Sequence, residues 1–189
     1  TISGCTYGGD INVTGSAVGG VLGNVNAEDA IVNISNSAVN GDINVTVNTV
    51  GGILGTVNAK TTVNISDSTV SGSITATGGN VGGILGSANN KASTFTISNC
   101  TIADGTQISG TSNIGGIVGN AHNTNTLTIS GTNNADVSGN QIVGGIVGLL
   151  GSSTMIVQDS VNNGDIAAVN NGKSIHAASQ HKTQPRVYK

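Results

Sequence analysis

Aspartates at one position of a repeated pattern are the first candidates for chemistry in this chain. Asp10, Asp42 and Asp165 each begin a short apolar–polar alternation and each follow a glycine. Carboxylates stacked on neighbouring strands could bind Ca²⁺. They could instead accept backbone hydrogen bonds in a turn, as aspartates beside glycines commonly do. The Ca²⁺-binding nonapeptide repeat is absent, so we expect turn residues and no metal site.

The remaining titratable residues are too scattered to predict an active site. His122, His176 and His181 lack metal-ligand spacing, and residues 1–168 contain no arginine, no tryptophan and only Lys60 and Lys91 as lysines. Enzymes that cleave polysaccharides need clustered acids or bases, commonly with an arginine and aromatic platforms. We therefore expect no catalytic residue and no cofactor, so that the protein is not an enzyme.

Two cysteines occupy equivalent positions three repeats apart. Cys5 and Cys100 align with Ser37 and Ser68 of the intervening repeats. If each repeat adds one strand spacing of about 4.8 Å, the two residues lie roughly 14 Å apart. A disulfide needs Cα atoms within about 7 Å. We expect two free thiols.

Asn-x-Ser/Thr sequences could mark glycan acceptors if the protein passes through a eukaryotic secretory pathway. The Asn-, Thr- and Ser-rich composition produces such sequences by chance, so both interpretations stay open. The asparagines are Asn12, Asn33, Asn44, Asn64 and Asn99.

A repeat of about 31 residues provides the elements that position all these side chains. Its clearest block, Val-Gly-Gly-Ile-Leu-Gly or a close variant, begins at Val18, Val50, Val81, Ile114 and Val143, at intervals of 32, 31, 33 and 29 residues. A period in this range is typical of solenoids. Two further runs with period-2 alternation accompany the block, exemplified by Val63–Ser66 and Asp42–Thr46. Each repeat thus contains three strand-like runs.

Composition favours the same architecture. The 189 residues include 30 glycines, with 8% charged and 2% aromatic residues, and β-branched residues dominate between Gly, Asn and Ser. One coil alone cannot bury enough apolar surface to offset its ordering, whereas stacked coils bury one another. The sequence predicts an all-β fold. Residues 1–168 form a parallel, right-handed β-helix of about five to six coils with three short strands each, and residues 169–189 form a separate basic tail.

The glycine block leaves two packing alternatives. Two adjacent apolar residues such as Ile53 and Leu54 cannot both face the core of a regular strand. Either the glycine pair bends the chain, or the second apolar residue faces outward as a possible interface column, which is the alternative we favour. That column is Leu22, Leu54, Leu85, Val118 and Val147. The structural glycines expected at a bend or a close backbone approach are Gly20, Gly52, Gly83, Gly116 and Gly145.

The C-terminal stretch departs from the repeat. It carries four of the six basic residues and the single proline of the chain. It could be a solvated tail, a cap over the last coil or an arm that contacts a neighbouring subunit. In the last case the contacting residues would be Lys182, Pro185, Arg186 and Tyr188.

The repeated Gly-[Ile/Val]-[Leu/Val]-Gly within a Thr/Asn-rich unit resembles the GLUG motif over about residues 1–168. That motif is found in bacterial and some protist surface proteins, including adhesin-like proteins and non-catalytic parts of surface peptidases. The resemblance implies an extracellular or cell-surface β-solenoid. It implies no catalytic residues.

These observations favour a structural or adhesive role. The net charge of −3 argues against nucleic-acid binding, and no apolar run approaches the roughly 18 residues of a membrane span. We expect either a spacer beside other domains of a longer surface protein or a homopolymer subunit. In the homopolymer, copies would stack head to tail through the uncharged segment 1–9. The alternatives are a glycan-binding module and an ice-binding protein that uses the row Thr62, Thr94, Thr126 and Thr154.

Overall fold

The computed structural model describes residues 1–46, 48–89, 92–124, 126–151, 154–170 and 173–177. Every regular element in these ranges is a β-strand. The described part of the chain accordingly contains no helix with the length and hydropathy to cross a bilayer. The coils predicted from the repeat are present, and we number them 1 to 6 along the chain.

Each of the first three coils contains five short strands where three were predicted: the glycine pair divides one predicted run into two strands, and a two-residue strand that was not predicted follows the run exemplified by Val63–Ser66. Coils 4 and 5 contain four, since their first two strands are continuous, and coil 6 contains three. Coil 1 consists of β1 (Ile2–Ser3), β2 (Thr6–Tyr7), β3 (Ile11–Val13), β4 (Ala17–Gly19) and β5 (Leu22–Val25). Coil 2 consists of β6 (Ala30–Ser35), β7 (Ala38–Val39), β8 (Ile43–Val45), β9 (Thr49–Gly51) and β10 (Leu54–Val57). Coil 3 consists of β11 (Thr61–Ser66), β12 (Thr69–Val70), β13 (Ile74–Ala76), β14 (Asn80–Gly82) and β15 (Leu85–Ala88). Coil 4 consists of β16 (Thr94–Ile102), β17 (Gln107–Gly110), β18 (Asn113–Gly115) and β19 (Val118–Ala121). Coil 5 consists of β20 (Thr126–Asn133), β21 (Asp136–Gly139), β22 (Ile142–Gly144) and β23 (Val147–Leu150). Coil 6 consists of β24 (Thr154–Val157), β25 (Val161–Asn162) and β26 (Ile166–Asn170), and β27 (Lys173–Ala177) follows it.

Equivalent strands of successive coils pair in parallel and form four sheets in the described residues. Sheet A contains the first two strands of each coil, sheet B the third, and sheets C and D the strands on either side of the glycine pair. The register follows the repeat, so that Leu54 pairs with Leu85 and Thr94 with Thr126. The predicted all-β parallel solenoid with a spacing of about 31 residues is confirmed.

The core runs along the axis of the stack as one apolar cluster. The inward column of sheet A includes Ile34, Ile65, Ile97 and Ile129, each at most 1% exposed, and Phe95 is fully buried beside it. The outermost coils are more open, since Ile2, Ile11 and Met155 are only half-buried. Stacking on both sides therefore completes the burial of each coil.

The prediction that the second apolar residue of the glycine block faces outward is wrong. Leu54, Leu85 and Val118 are 0% exposed, and Leu22 and Val147 in coils 1 and 5 are half-buried against the core. The preceding residues, such as Ile53, are 0% exposed as well. Both neighbours turn inward because the strand of sheet C ends at the first glycine of the pair and the strand of sheet D begins three residues later, as at Gly51 and Leu54. The bend restarts the alternation, and these residues offer no exposed interface.

The glycine pair is required by close approach between coils, as predicted. A Cβ on Gly83 would collide with the carbonyl oxygen of Gly116 and would lie 2.7 Å from Cδ1 of Ile102. Gly52 and Gly20 stand in the same relation to the carbonyl oxygens of the next coil and to the side chains of Val70 and Val39. Gly116 and Gly145 lie against the side chains of Asn133 and Asn162. The described glycines with positive φ are Gly4 and Gly105, so the glycine pair is needed for space and not for a left-handed backbone.

A left-handed residue lies between the two parts of sheet A in most coils, and in coil 4 strand β16 runs through it without a break. Asn36, Asp67, Asn99 and Asp159 have φ between 48° and 52°, and Gly4 has φ 66°. Asn, Asp and Gly are the residues that tolerate this region best. Coil 5 has no residue equivalent to Asn99: Ser98 pairs with Ser130 and Cys100 pairs with the next residue, Gly131.

The repeat ends in an antiparallel pair. Strand β26 continues past the predicted boundary at residue 168 to Asn170, and β27 pairs with it in the antiparallel direction. Part of the stretch predicted as a tail thus belongs to sheet B. The proposed inter-subunit residues Lys182, Pro185, Arg186 and Tyr188 lie outside the described residues.

Candidate functional site

The aspartates at the start of the third strand bridge neighbouring coils. The backbone N–H of Asp42 donates to Oδ1 of Asp10 at 3.0 Å, and that of Ser73 donates to Oδ1 of Asp42 at 2.8 Å. Asp165 donates to Oδ1 of Asp136 at 2.9 Å in the same way. The carboxylates of Asp10 and Asp42 therefore accept backbone hydrogen bonds, as the turn interpretation expected, but the donors lie in the next coil and not in the turn of each aspartate, so these carboxylates extend the hydrogen-bond ladder between coils.

Glycines make this ladder possible. Gly41 precedes Asp42, and a Cβ on it would collide with the carbonyl oxygen of Gly9 in coil 1. Gly164 before Asp165 is held equally close to Ala135. The Gly-Asp pair thus brings the coils together and supplies an acceptor for the approaching N–H group. Across the described ranges, no group of three or more His, Cys, Asp or Glu is arranged to hold a metal ion.

A second ladder contains the cysteines. The N–H of Ser37 donates to Oγ of Ser68 at 3.2 Å, and the N–H of Cys5 donates to Oγ of Ser37 at 3.4 Å. Both cysteines are free, as predicted, with Cys5 exposed and Cys100 buried. Burial raises the pKa of the Cys100 thiol to about 11, because the buried site disfavours the thiolate. This cysteine is a stacking residue and not an activated nucleophile.

The described basic residues of the coils form no cluster. Lys60 pairs with Asp29 at the corner between sheets D and A, and its backbone N–H donates to Oε2 of Glu28 at 3.3 Å. The hydrogen bond and the charge of Asp29 raise the pKa of Lys60. The Lys60 and Asp29 side chains are 53% and 70% exposed, so this is a solvated surface pair. His122 is exposed, while Lys91 and His181 lie outside the described residues.

The outer face of sheet A presents three in-register rows without a charged side chain. The first row contains Thr62, Thr94, Thr126 and Thr154, preceded by Ile31, which is 68% exposed. The second contains Asn33, Asn64, Thr96, Thr128 and Ile156, and the third Ser3, Ser35, Ser66, Ser98 and Ser130. Side chains bond along the rows: Nδ2 of Asn64 donates to Oδ1 of Asn33 at 2.9 Å. The predicted threonine row is therefore present, with apolar residues interrupting the face.

The outer face of sheet B carries a shallow open groove. Asn12, Thr14, Asn44, Thr46 and Thr75 line it together with Val13 and Val45. Amides and hydroxyls are its polar groups, so it offers hydrogen bonds without an acid or a base.

The asparagines of the Asn-x-Ser/Thr sequences differ in accessibility. Asn12 and Asn44 are exposed on sheet B, whereas Asn33 and Asn64 are half-buried and bonded to each other. Asn99 is exposed and donates to Oδ1 of Asp67 at 2.6 Å. The exposed asparagines of these sequences are therefore Asn12, Asn44 and Asn99, and their glycosylation stays a prediction.

The buried Asn133 and its hydrogen-bond partner Asn162 were not predicted from the sequence. Asn133 is 0% exposed and occupies the position of Ile102 in the preceding coil. Its Nδ2 donates to Oδ1 of Asn162 at 2.7 Å, and its Oδ1 accepts the N–H of Ala135 at 3.2 Å. The pair is internal and satisfies its own hydrogen bonds, so it is a structural feature of coils 5 and 6.

No family model matches the chain, and no curated protein or solved structure matches it either.

Proposed function

We propose that this chain is a non-enzymatic, extracellular structural solenoid that serves as a rigid spacer within a cell-surface protein. The observation that carries the proposal is the use made of its polar side chains. Asp10, Asp42 and Asp136 bond to backbone N–H groups of the following coil, as do Ser37 and Ser68 to that of the preceding coil. These carboxylates and hydroxyls, which could otherwise bind a ligand or react, form hydrogen bonds between neighbouring coils.

The stacking also supports a spacer of defined length. Each coil repeats the register of its neighbour, and each adds about 4.8 Å along the axis. Contacts run between adjacent coils, as in other solenoids, where stability is roughly a sum of repeats and their interfaces. Such an array holds two neighbouring domains at a fixed distance from each other.

The surface composition supports an extracellular location. The outer rows of sheet A are Thr, Asn and Ser, and the resemblance to the GLUG motif implies surface proteins. Adhesive contact with a glycan would use these hydroxyls and amides. Self-association into a head-to-tail homopolymer is the alternative, and it would need a free edge on sheet B at the end where β27 lies.

The spacer proposal predicts that whole coils are interchangeable. Deleting residues 63–94 joins Thr62 to Phe95, in the register that Thr94 has in the parent chain. We expect this variant to keep its β circular-dichroism spectrum and to shorten by about 4.8 Å in small-angle scattering. The matched control deletes residues 63–78, which joins positions half a coil apart, and should unfold. Loss of structure in both variants would contradict the proposal.

A second candidate function is ice binding, favoured by the in-register row Thr62, Thr94, Thr126 and Thr154. A rigid row of hydroxyls and methyls could order water against a crystal surface. Thermal hysteresis measures this activity directly. If it is present, Thr94→Lys with Thr126→Lys should abolish it, whereas Thr75→Lys on sheet B should not. Absence of hysteresis in the parent chain excludes the function.

A further inference from the structure

Strand β27 reverses the direction of sheet B. All the other strand pairs in the described residues are parallel and join residues one coil apart. Strand β27 instead pairs antiparallel with β26, from Asn170 opposite Lys173 to Ile166 opposite Ala177. Strand β26 is five residues long, whereas the preceding strands of the sheet have three or four. The last coil is thus extended to support the reversed strand.

The position of β27 has a physical consequence for the end of the stack. The outer strand of a sheet presents unpaired N–H and C=O groups that another strand can bind. On β26 these groups face β27, so a further parallel coil cannot pair there while β27 is in place. The order of sheet B runs from β27 through β26 to β3, which leaves β3 as its opposite edge.

The other three sheets carry partly exposed apolar residues at the same end of the stack. Val143, Val147 and Met155, in the last strands of sheets C, D and A, are half-buried, whereas Val81, Leu85 and Phe95 in the middle coils are 0% exposed. Partly exposed apolar residues beside an unpaired edge are a template for a second copy of the chain. That copy would offer the edge of its β3, the strand that has the same place in coil 1 as β26 has in coil 6.

We propose that β27 is an end cap, which terminates the parallel stack on sheet B and prevents a second copy from adding its first coil there. The residue types of β27 suit this role. Lys173 and His176 lie in the strand that now forms the edge, and a lysine in an edge strand disfavours further pairing. The inference does not depend on the spacer function, because it concerns only whether the edge of β26 can pair with a second copy of the chain.

The test compares the parent with an uncapped variant in which Ser174→Pro and Ile175→Pro break the pairing of β27. The control, Ser174→Thr with Ile175→Val, keeps strand-forming residues at the same positions. Hydrogen exchange at residues 166–170 reports whether the edge is open, and sedimentation velocity over a range of concentrations reports association. A second uncapped variant ends the chain at residue 170. Slow exchange in β11 and β16 verifies that the coils of each variant remain folded.

Both uncapped variants should exchange the amides of β26 about tenfold faster or more, and both should associate at concentrations where the parent and the control do not. Unchanged exchange in β26 would show that β27 does not occupy the edge. Faster exchange without association at any concentration would show that the edge needs no cap. Either result overturns the proposal, as does a control that behaves like the proline variant.

Discussion

At Gly83 the backbone of coil 3 lies against the side chain of Ile102 in coil 4, with 2.7 Å between an added Cβ and Cδ1 of Ile102. The carbonyl oxygen of Gly116 blocks the same space. We predict that Gly83→Ala lowers the free energy of unfolding by about 2–3 kcal/mol, because the backbone of a stacked coil cannot move aside without breaking its ladder. Thermal or urea unfolding measures the change.

Gly79 is the matched control, four residues earlier in the same coil. A Cβ there would meet only Ser112, at 3.7 Å, which is ordinary van der Waals contact. Gly79→Ala should therefore change stability by less than about 1 kcal/mol. Equal losses at both positions would contradict the close-approach explanation.

The buried thiol of Cys100 makes stability depend on alkaline pH. Its pKa is raised to about 11 from an ordinary value of 9.0. Well below pH 9 the thiol is protonated in both the folded and the unfolded chain, so it does not make the free energy of unfolding depend on pH. Above pH 9 the unfolded chain releases the proton first, so stability falls as pH rises towards 11, by about 2 kcal/mol at that pH.

Cys100→Ser should remove this part of the alkaline loss, since serine occupies the same position as Ser37 and Ser68 in other coils. Urea unfolding between pH 8 and 11 measures it, and Cys5→Ser, at the exposed equivalent position, is the control. Thiol labelling gives an independent reading: Cys5 should react rapidly in the folded protein and Cys100 slowly. An alkaline profile unchanged by Cys100→Ser would be inconsistent with the buried-thiol explanation.

At the scale of the element, the start of each strand in sheet B is held by the side-chain ladder. Asp42→Ala removes the acceptor for the N–H of Ser73, and we predict a loss of about 1 kcal/mol in unfolding free energy. Asp42→Asn keeps an oxygen at that position and should lose less. A Ca²⁺-dependent rise in melting temperature that Asp42→Ala abolishes would support a metal site instead.

The period and the alternation were sufficient to predict the coils and the inward columns, because residues such as Ile65 and Ile97 face the core wherever the strand is regular. For the Leu54 column the sequence left two orientations open and we favoured the wrong one, since alternation fails at a bend and the close approach of Gly52 to the next coil is visible only in the structure. Asn133 was missed because asparagine is frequent on the outside of this chain, and nothing local distinguishes a buried one.

The antiparallel ending was predictable in part. Asn171 and Gly172 follow β26 and precede β27, and Asn-Gly between strand-like runs is the strongest local signal for a hairpin. This signal has no counterpart in the other coils, so the repeat pattern does not contain it. The sequence also did not show that coil 5 lacks a residue equivalent to the left-handed Asn99. Gly131 follows Ser130 directly, and glycine is a residue that a left-handed position would favour.

At the scale of the whole molecule, protection should decline from the middle of the stack towards its ends. Ile65 and Ile97 lie between coils on both sides and are at most 1% exposed, whereas Ile2 and Ile11 in coil 1 are half-buried. We predict that amides of β11 and β16 exchange slowest and those of coil 1 fastest, because opening an outer coil breaks one interface and not two. Hydrogen exchange with mass spectrometry measures this gradient, and uniform protection along the stack would contradict it.

The equal register of successive coils also bears on how such a gene can change. The gene segments for the glycine blocks of neighbouring repeats encode nearly the same residues. Unequal recombination between two such segments would therefore insert or remove one complete coil. A crossover at equivalent codons preserves each glycine opposite a carbonyl oxygen, whereas a crossover between unlike positions places a side chain there. Because no side chain fits at positions such as Gly52 and Gly83, only crossovers between equivalent positions give a chain that can fold. The number of coils can therefore change over generations while the contacts between coils are preserved.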